Sequence, residues 1–167
     1  MAGLIYARVV DAIVTQAVNA TTSESVNGGV EKRYGYELEA SRQLIDSLKV
    51  GANFSSLKRV VVSGAVEPTD TPDHKLFAFT EWYPIAPVSL VADVDIEDKR
   101  WLQSAVNSLL YYQGGSFTLL NVKGGYQITP QASAEFGVNN LTDRNYVIED
   151  GYHAPGRTYF ANVRVKF

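Results

Sequence analysis

A chain of 167 residues holds about one domain's worth of sequence, and 15 basic against 18 acidic side chains give no electrostatic ground for nucleic-acid binding. The absence of cysteine removes disulfide scaffolds and thiolate metal sites. No apolar run approaches the roughly 18 residues a membrane helix needs, which excludes a helical membrane protein but not crossing strands, whose lipid-facing residues occupy alternate positions only.

Met1-Ala2-Gly3 leads into "LIYARVVDAIV", where Arg8 and Asp11 break any secretory apolar region, so an exported protein is expected here in mature or excised form. A first strand, around residues 4–16, alternates weakly and its faces stay unassigned. "YGYELEAS" is clearer, setting Tyr34, Tyr36, Leu38 and Ala40 against Gly35, Glu37, Glu39 and Ser41. "LKVGANFS" sets Leu48, Val50, Ala52 and Phe54 against Lys49, Gly51, Asn53 and Ser55. A fourth strand, around 75–83, is again weak. "SLVADVDIEDK" alternates in a way no helix accommodates, with Leu90, Ala92, Val94 and Ile96 opposite Asp93, Asp95 and Glu97. "TLLNVKGGYQI" places Leu120, Val122 and Tyr126 opposite Asn121 and Lys123, and "ASAEFGVN" places Ala134, Phe136 and Val138 opposite Glu135. The last strand carries Tyr159, Ala161, Val163, Val165 and Phe167 on one face and Phe160, Asn162, Arg164 and Lys166 on the other. That makes about eight strands in a single domain spanning 1–167.

The connectors alternate strictly. "IDS", "PIAPV" and "TPQ" are short, whereas "VNATTSESVNGG", "SGAVEPTDTPD", "QSAVNSLLYYQGGS" and "LTDRNYVIEDGYHAP" are long and polar. Such bias describes an up-and-down antiparallel meander with its tight turns at one end, which a soluble sandwich does not need. Alternation alone leaves both facings open, since a soluble barrel packs its apolar face inward and a membrane barrel turns it to lipid. Trp82, Tyr83 and Tyr126 lie beside short turns, while Trp101, Tyr112 and Tyr159 lie toward the long loops, as two interfacial girdles would; ordinary strand preference for aromatics explains them equally well.

Catalytic patterns are weak. His74 and His153 lack a third ligand at metal spacing, Asp93 and Asp95 fit a charged wall better than an acid pair, and "QGGS" and "NGG" precede no helix that would cradle phosphate. No enzyme, metal site or cofactor is expected.

The end of the chain carries more specific patterns. "FGVNNLTDRNY" followed by "GYHAPGRTYFANVRVKF" resembles the closing segment of TonB-dependent outer-membrane receptors, with Asn140, Leu141, Asp143, Arg144 and Tyr146 in the corner and Pro155, Gly156, Arg157 and Tyr159 in the turn and last strand. Thr142 stands where an aromatic is commoner. "RYGYELEAS" resembles the family's Gly-x-Glu-x-Glu strand and "DTPDHKLFAF" its Thr-Pro-x-His strand.

The resemblance implies an all-β, antiparallel up-and-down transmembrane β-barrel of about eight strands, with short periplasmic turns and longer extracellular loops, equivalent to the C-terminal third of the receptor barrel without its plug. It implies the bacterial outer membrane as location, outer-membrane lipid as solvent, and the barrel assembly machinery as a partner through Tyr159, Val163, Val165 and Phe167. The parent receptor would engage TonB and a small iron-chelate ligand such as a siderophore; this chain alone is expected to lack active transport. Loop candidates for ligand contact are Trp101, Tyr111, Tyr112, Tyr146, Tyr152 and His153. The expected lumen network comprises Glu37, Glu39, Lys49, Asp93, Asp95, Glu97, Lys123, Glu135, Arg164 and Lys166. Eight strands would have to close into a small barrel, because open edges are costly in lipid. Two other readings are a stand-alone structural or adhesive outer-membrane barrel and a soluble eight-stranded ligand carrier.

Overall fold

The computed structural model describes residues 1–11, 13–27, 29–63, 69 and 71–166, with the side chains of 14 and 63 outside that description. Eight strands form one antiparallel sheet in the order β1 (Ala2–Val10), β4 (Val30–Ile45), β5 (Leu48–Ser63), β6 (His74–Ile85), β7 (Val88–Glu97), β10 (Phe117–Thr129), β11 (Ala132–Asn139) and β14 (Thr158–Val165). Among the described residues three two-stranded hairpins sit in the long connections: β2 (Ile13–Ala17) with β3 (Ser23–Asn27), β8 (Trp101–Gln103) with β9 (Tyr111–Gln113), and β12 (Val147–Glu149) with β13 (Tyr152–His153). The tight turns at 46–47, 86–87 and 130–131 all lie at the opposite end.

The closed transmembrane barrel expected from the sequence is not what forms. The sheet is open: among the described residues β1 pairs only with β4, β14 pairs only with β11, and no ladder joins β1 to β14. The polar face gives the physical reason. An eight-strand closure would press that face into one packed interior, yet the Lys75, Lys123 and Glu135 side chains keep 43%, 39% and 36% of their surface in water. The weak first strand is also two elements rather than one. Asp11 takes a left-handed φ of 54°, which an Asp tolerates better than most residues, and the chain turns there from β1 into the hairpin.

Register assigns the faces, because directly opposite residues share a side. Glu39, Asn53, Phe77, Asp95 and Leu119 form one row, and Gly51, Phe79, Asp93 and Asn121 the next. On the other face Leu48, Trp82, Leu90, Gly124 and Phe136 are aligned. The two strands left unassigned now have faces. Lys75, Phe77, Phe79 and Glu81 join the polar side, and Leu4 and Tyr6 of β1 join the apolar side opposite Tyr36 and Tyr34.

Packing is correspondingly thin. Among the described residues only Leu102, Phe117 and Val138 are buried apolar side chains, and the first two belong to the loop end. Leu4 is 93% exposed and Phe136 56%. An apolar face left open in this way is no soluble core, since burying it is the main source of folding free energy in water.

Candidate functional site

The loop end gathers most of the polar chemistry. Its firmest part is the corner "NNLTDRNY", where Asn140 and Asp143 both adopt left-handed φ values, 51° and 56°. The Asn140 side chain accepts the Arg144 amide at 2.8 Å and donates to the Arg144 and Pro155 carbonyls, while its own amide donates to Asn121 Oδ1 at 2.9 Å. Asp143 Oδ1 accepts the Arg157 amide at 2.8 Å. Asn and Asp suit such corners because their short side chains replace missing backbone partners. A Cβ at Gly156 would stand 2.7 Å from Asp143 Oδ1, so the Pro-Gly-Arg turn needs its glycine for close approach.

Two ionic clusters anchor the tops of the strands on the polar face. At the loop end of β4, past the level of Tyr34, Glu31 accepts a two-pronged bond from Arg59 at 2.7 and 3.1 Å and a second from Arg33 at 2.8 Å. The Arg59 bond is the main cause that holds the Glu31 carboxyl down to about 2, with Arg33 adding to it against the opposing effect of burial. Arg59 also donates to the Thr69 carbonyl and Thr71 hydroxyl, which ties the following segment to the cluster. In the second cluster Glu97 receives Arg100 and, at 2.7 Å, Lys75, which lies 3.5 Å from Asp95. Arg100 rests over the Phe117 ring at 5.9 Å, and Tyr146 packs against the same ring at 4.6 Å between centroids.

Between residues 57–59, 71–73 and 98–113 lies a cavity of about 500 Å³, lined by Lys58, Arg59, Thr71, Asp73, Asp98, Lys99, Arg100, Trp101 and Gln113 among others. The Asp98 carboxyl sits below its ordinary value, chiefly through the Lys99 amide and then through His74, 3.2 Å away.

The ligand candidates divide into two groups. Trp101 lines the cavity and is 41% exposed. Tyr111 accepts from Gln103 at 3.2 Å on the neighbouring strand. Tyr112 donates to Asp150 at 2.6 Å; that bond lowers the Asp150 carboxyl and raises the Tyr112 hydroxyl. Asp150 also accepts the Ala105 amide at 2.7 Å, so it joins the β12–β13 hairpin to the β8–β9 hairpin. Ser108 binds the Asn19 and Ala20 carbonyls, joining β8–β9 to the first hairpin as well. Tyr146 is half-buried against Phe117, whereas Tyr152, 70% exposed, and His153 stand on β13. The structure thus brings Tyr112 to Asp150 and Tyr146 to Phe117, and leaves Tyr152 in solvent. Arg59, Lys99 and Gln113 line the cavity without having been singled out in the sequence. The paired charges 28 residues apart, Glu31 and Arg59, become partners only through register.

The expected lumen residues share the polar face but not one network. Lys123 lies 3.7 Å from Glu135, and Asn121 donates to Asp93 at 2.7 Å. Lys49 stands 5.4 Å from the Phe79 ring centroid. Glu37, Glu39, Arg164 and Lys166 make no ion pair among the described residues. Tyr159, Val163 and Val165 share the apolar side of the edge strand β14 and are 63%, 68% and 50% exposed; Phe167 lies outside the described residues.

Comparison with known proteins matches residues 2–141 to a family described as TonB dependent receptor-like, beta-barrel. The ferric-pyoverdine M114 receptor PbuA of Pseudomonas sp. (strain M114) is 25% identical over 148 residues, covering 83% of this chain and 18% of that protein. Among solved structures, the ferripyoverdine receptor of Pseudomonas aeruginosa is 22% identical with a TM-score of 0.71, over 87% of this chain and 20% of its own. The copper transporter OprC is 18% identical with a TM-score of 0.84, over 99% of this chain and 27% of its own. The chain therefore spans about a fifth to a quarter of the length of the relatives it matches.

Proposed function

The chain belongs to the TonB-dependent receptor-like β-barrel family, and from that premise we propose that its open sheet is an arc of wall in an outer-membrane receptor that captures small iron chelates. The family is one of transport receptors and not of enzymes. In this reading the apolar face meets lipid, the polar face lines the interior, and further strands pair with the free sides of β1 and β14. The arc supplies ligand contacts but not energised uptake, which belongs to the whole receptor together with its TonB partner. Assembly through the exposed side of β14, with Tyr159, Val163 and Val165, fits the same picture.

The observation that carries the ligand reading is the cavity beside Trp101, where an aromatic ring, Lys99 and Arg100 converge with hydrogen-bonding Gln113 and Thr71. A concave site with a few convergent polar groups and one aromatic wall suits a compact, anionic, oxygen-rich chelate. A relative that is 25% identical is a ferric-pyoverdine receptor, which favours iron over other cargo.

The test is a fluorescence titration of the chain, refolded in an uncharged detergent, with a ferric trihydroxamate. Quenching that disappears in Trp101→Phe and weakens in Lys99→Gln is the expected result. Quenching that persists in Trp101→Phe would have to come from Trp82 at the turn end and would overturn the assignment.

A further inference from the structure

The apolar face is not electrically neutral. Across the seven ladders its side chains include Arg8, Lys32, Arg42 and Lys58 and no carboxylate. Arg42 lies at the turn end; the other three meet at one corner of the loop end. Arg8 stands directly opposite Lys32, and Lys58 stands opposite Tyr34, one step along the same face. From β6 to β14 that face carries neither lysine nor arginine.

Like charges directly opposite each other on a sheet are destabilising unless something neutralises them. Among the described residues no side chain does so. Arg8, Lys32 and Lys58 make no hydrogen bond or ion pair through their side chains among the described residues. Glu31 and Arg33, their sequence neighbours, lie on the opposite face and are satisfied by each other and Arg59.

What lies next to the cluster identifies its partner. Moving from the middle of the sheet toward the loops, the rows on this face read Ala2, Leu38 and Phe54, then Leu4, Tyr36 and Ser56, then Tyr6, Tyr34 and Lys58, then Arg8, Lys32 and Val60. That order, from apolar side chains through tyrosines to cations, matches the depth profile of a membrane interface, where amphipathic rings sit at the headgroup level and cations lie at or just beyond it. Tyr6 is 72% exposed and Tyr34 44%, so the belt is open to such a surface.

Resting on the lipid-facing reading given above, we propose that Arg8, Lys32 and Lys58 form a docking site for the phosphorylated headgroup of an anionic lipid in the loop-side leaflet. Arg8 offers a two-pronged phosphate contact, the two lysines supply point charges, and the tyrosine pair below holds the upper acyl segments. The sheet would thereby be fixed in depth at one corner rather than along its whole rim.

The experiment measures binding of the refolded full chain to phosphatidylcholine vesicles with and without added phosphatidic acid, at low and high salt. Lys58 also borders the loop cavity, so the diagnostic variant is Arg8→Gln/Lys32→Gln, which leaves that cavity intact. Its control is Lys49→Gln/Arg164→Gln, with the same loss of charge on the polar face. The wild type and the control are expected to prefer phosphatidic acid vesicles, and the diagnostic variant to lose that preference by on the order of tenfold. Equal losses in both variants would reduce the effect to net charge and overturn the site. Inorganic phosphate that displaces the vesicles as well as phosphatidic acid attracts the chain would mean a free-anion site instead and overturn the lipid assignment. Should the double variant not fold, Lys32→Gln alone carries the test, with a smaller loss expected and no loss contradicting the site. Failure to bind either vesicle would sink the lipid-facing reading itself, whereas binding both equally would sink only this inference.

Discussion

The two faces of the sheet share every strand and every backbone hydrogen bond, yet one is laced together and the other is bare. The polar face is cross-linked between strands by Glu31 with Arg59, Glu97 with Lys75, Asp93 with Asn121 and Lys123 with Glu135. The apolar face, from Leu4 to Val165, has ring contacts such as Tyr36 with Phe54 but no covering layer. A protein that closed around its own apolar side would show the reverse, with charges solvated outside and a packed interior. The contrast supports the proposed reading, in which the apolar face takes its solvent from outside the chain.

The most disruptive way to break the contrast is to charge the bare face. Val122→Arg, in the row between Ala92 and Val138, is expected to cost about 3 kcal/mol in refolding into lipid vesicles, while Asn53→Arg on the polar face costs less than about 1 kcal/mol. Equal effects in denaturant titrations of the two variants would remove the distinction between faces.

Next comes the strongest tie on the laced face. Glu31→Gln leaves Arg33 and Arg59 without their anion and is expected to destabilise by about 2 kcal/mol. The same bond sets an acid limit. The Glu31 carboxyl is depressed in the folded state from 4.5 to about 2, so its contribution is fully present above pH 4.5 and is lost as the pH falls toward 2. Wild-type stability should fall across that window and Glu31→Gln stability should fall less; parallel curves would contradict the role given to this pair.

The smallest effect concerns the loops that the faces support. Tyr112→Phe and Asp150→Asn are each expected to loosen the two hairpins only slightly, with a double variant no worse than the worse single one, because both remove the Tyr112–Asp150 bond. Hydrogen exchange at the Ala105 amide reads this out, since Asp150 accepts from it. Full additivity in that exchange would show that the two residues act separately.

Much of the sheet is legible in the sequence because alternation is a property of each strand by itself. "SLVADVDIEDK" reveals its faces without any neighbour, and β10, β11 and β14 do the same. Closure is different in kind: whether β1 meets β14 depends on both edges and on how much side-chain bulk the polar face carries, and no single strand encodes that. The short hairpins β8–β9 and β12–β13 are too brief for alternation to emerge, so they read as loops. The loop site was half visible. Trp101 stands out as an aromatic in a polar stretch, but Arg59 becomes part of the cavity only because register puts it beside Glu31, 28 residues earlier.

The central claim, that one face of this sheet meets lipid and the other water, is tested most directly by single-cysteine labelling along β7 and β10. The natural absence of cysteine makes each introduced thiol unique. Spin labels at Ala92, Val94, Leu120 and Val122 should be quenched by lipid-dissolved oxygen in vesicles, and labels at Asp93, Asp95, Asn121 and Lys123 by a water-soluble nickel complex. That period-two exchange of quenchers is the predicted result; aqueous quenching at every position would contradict the account.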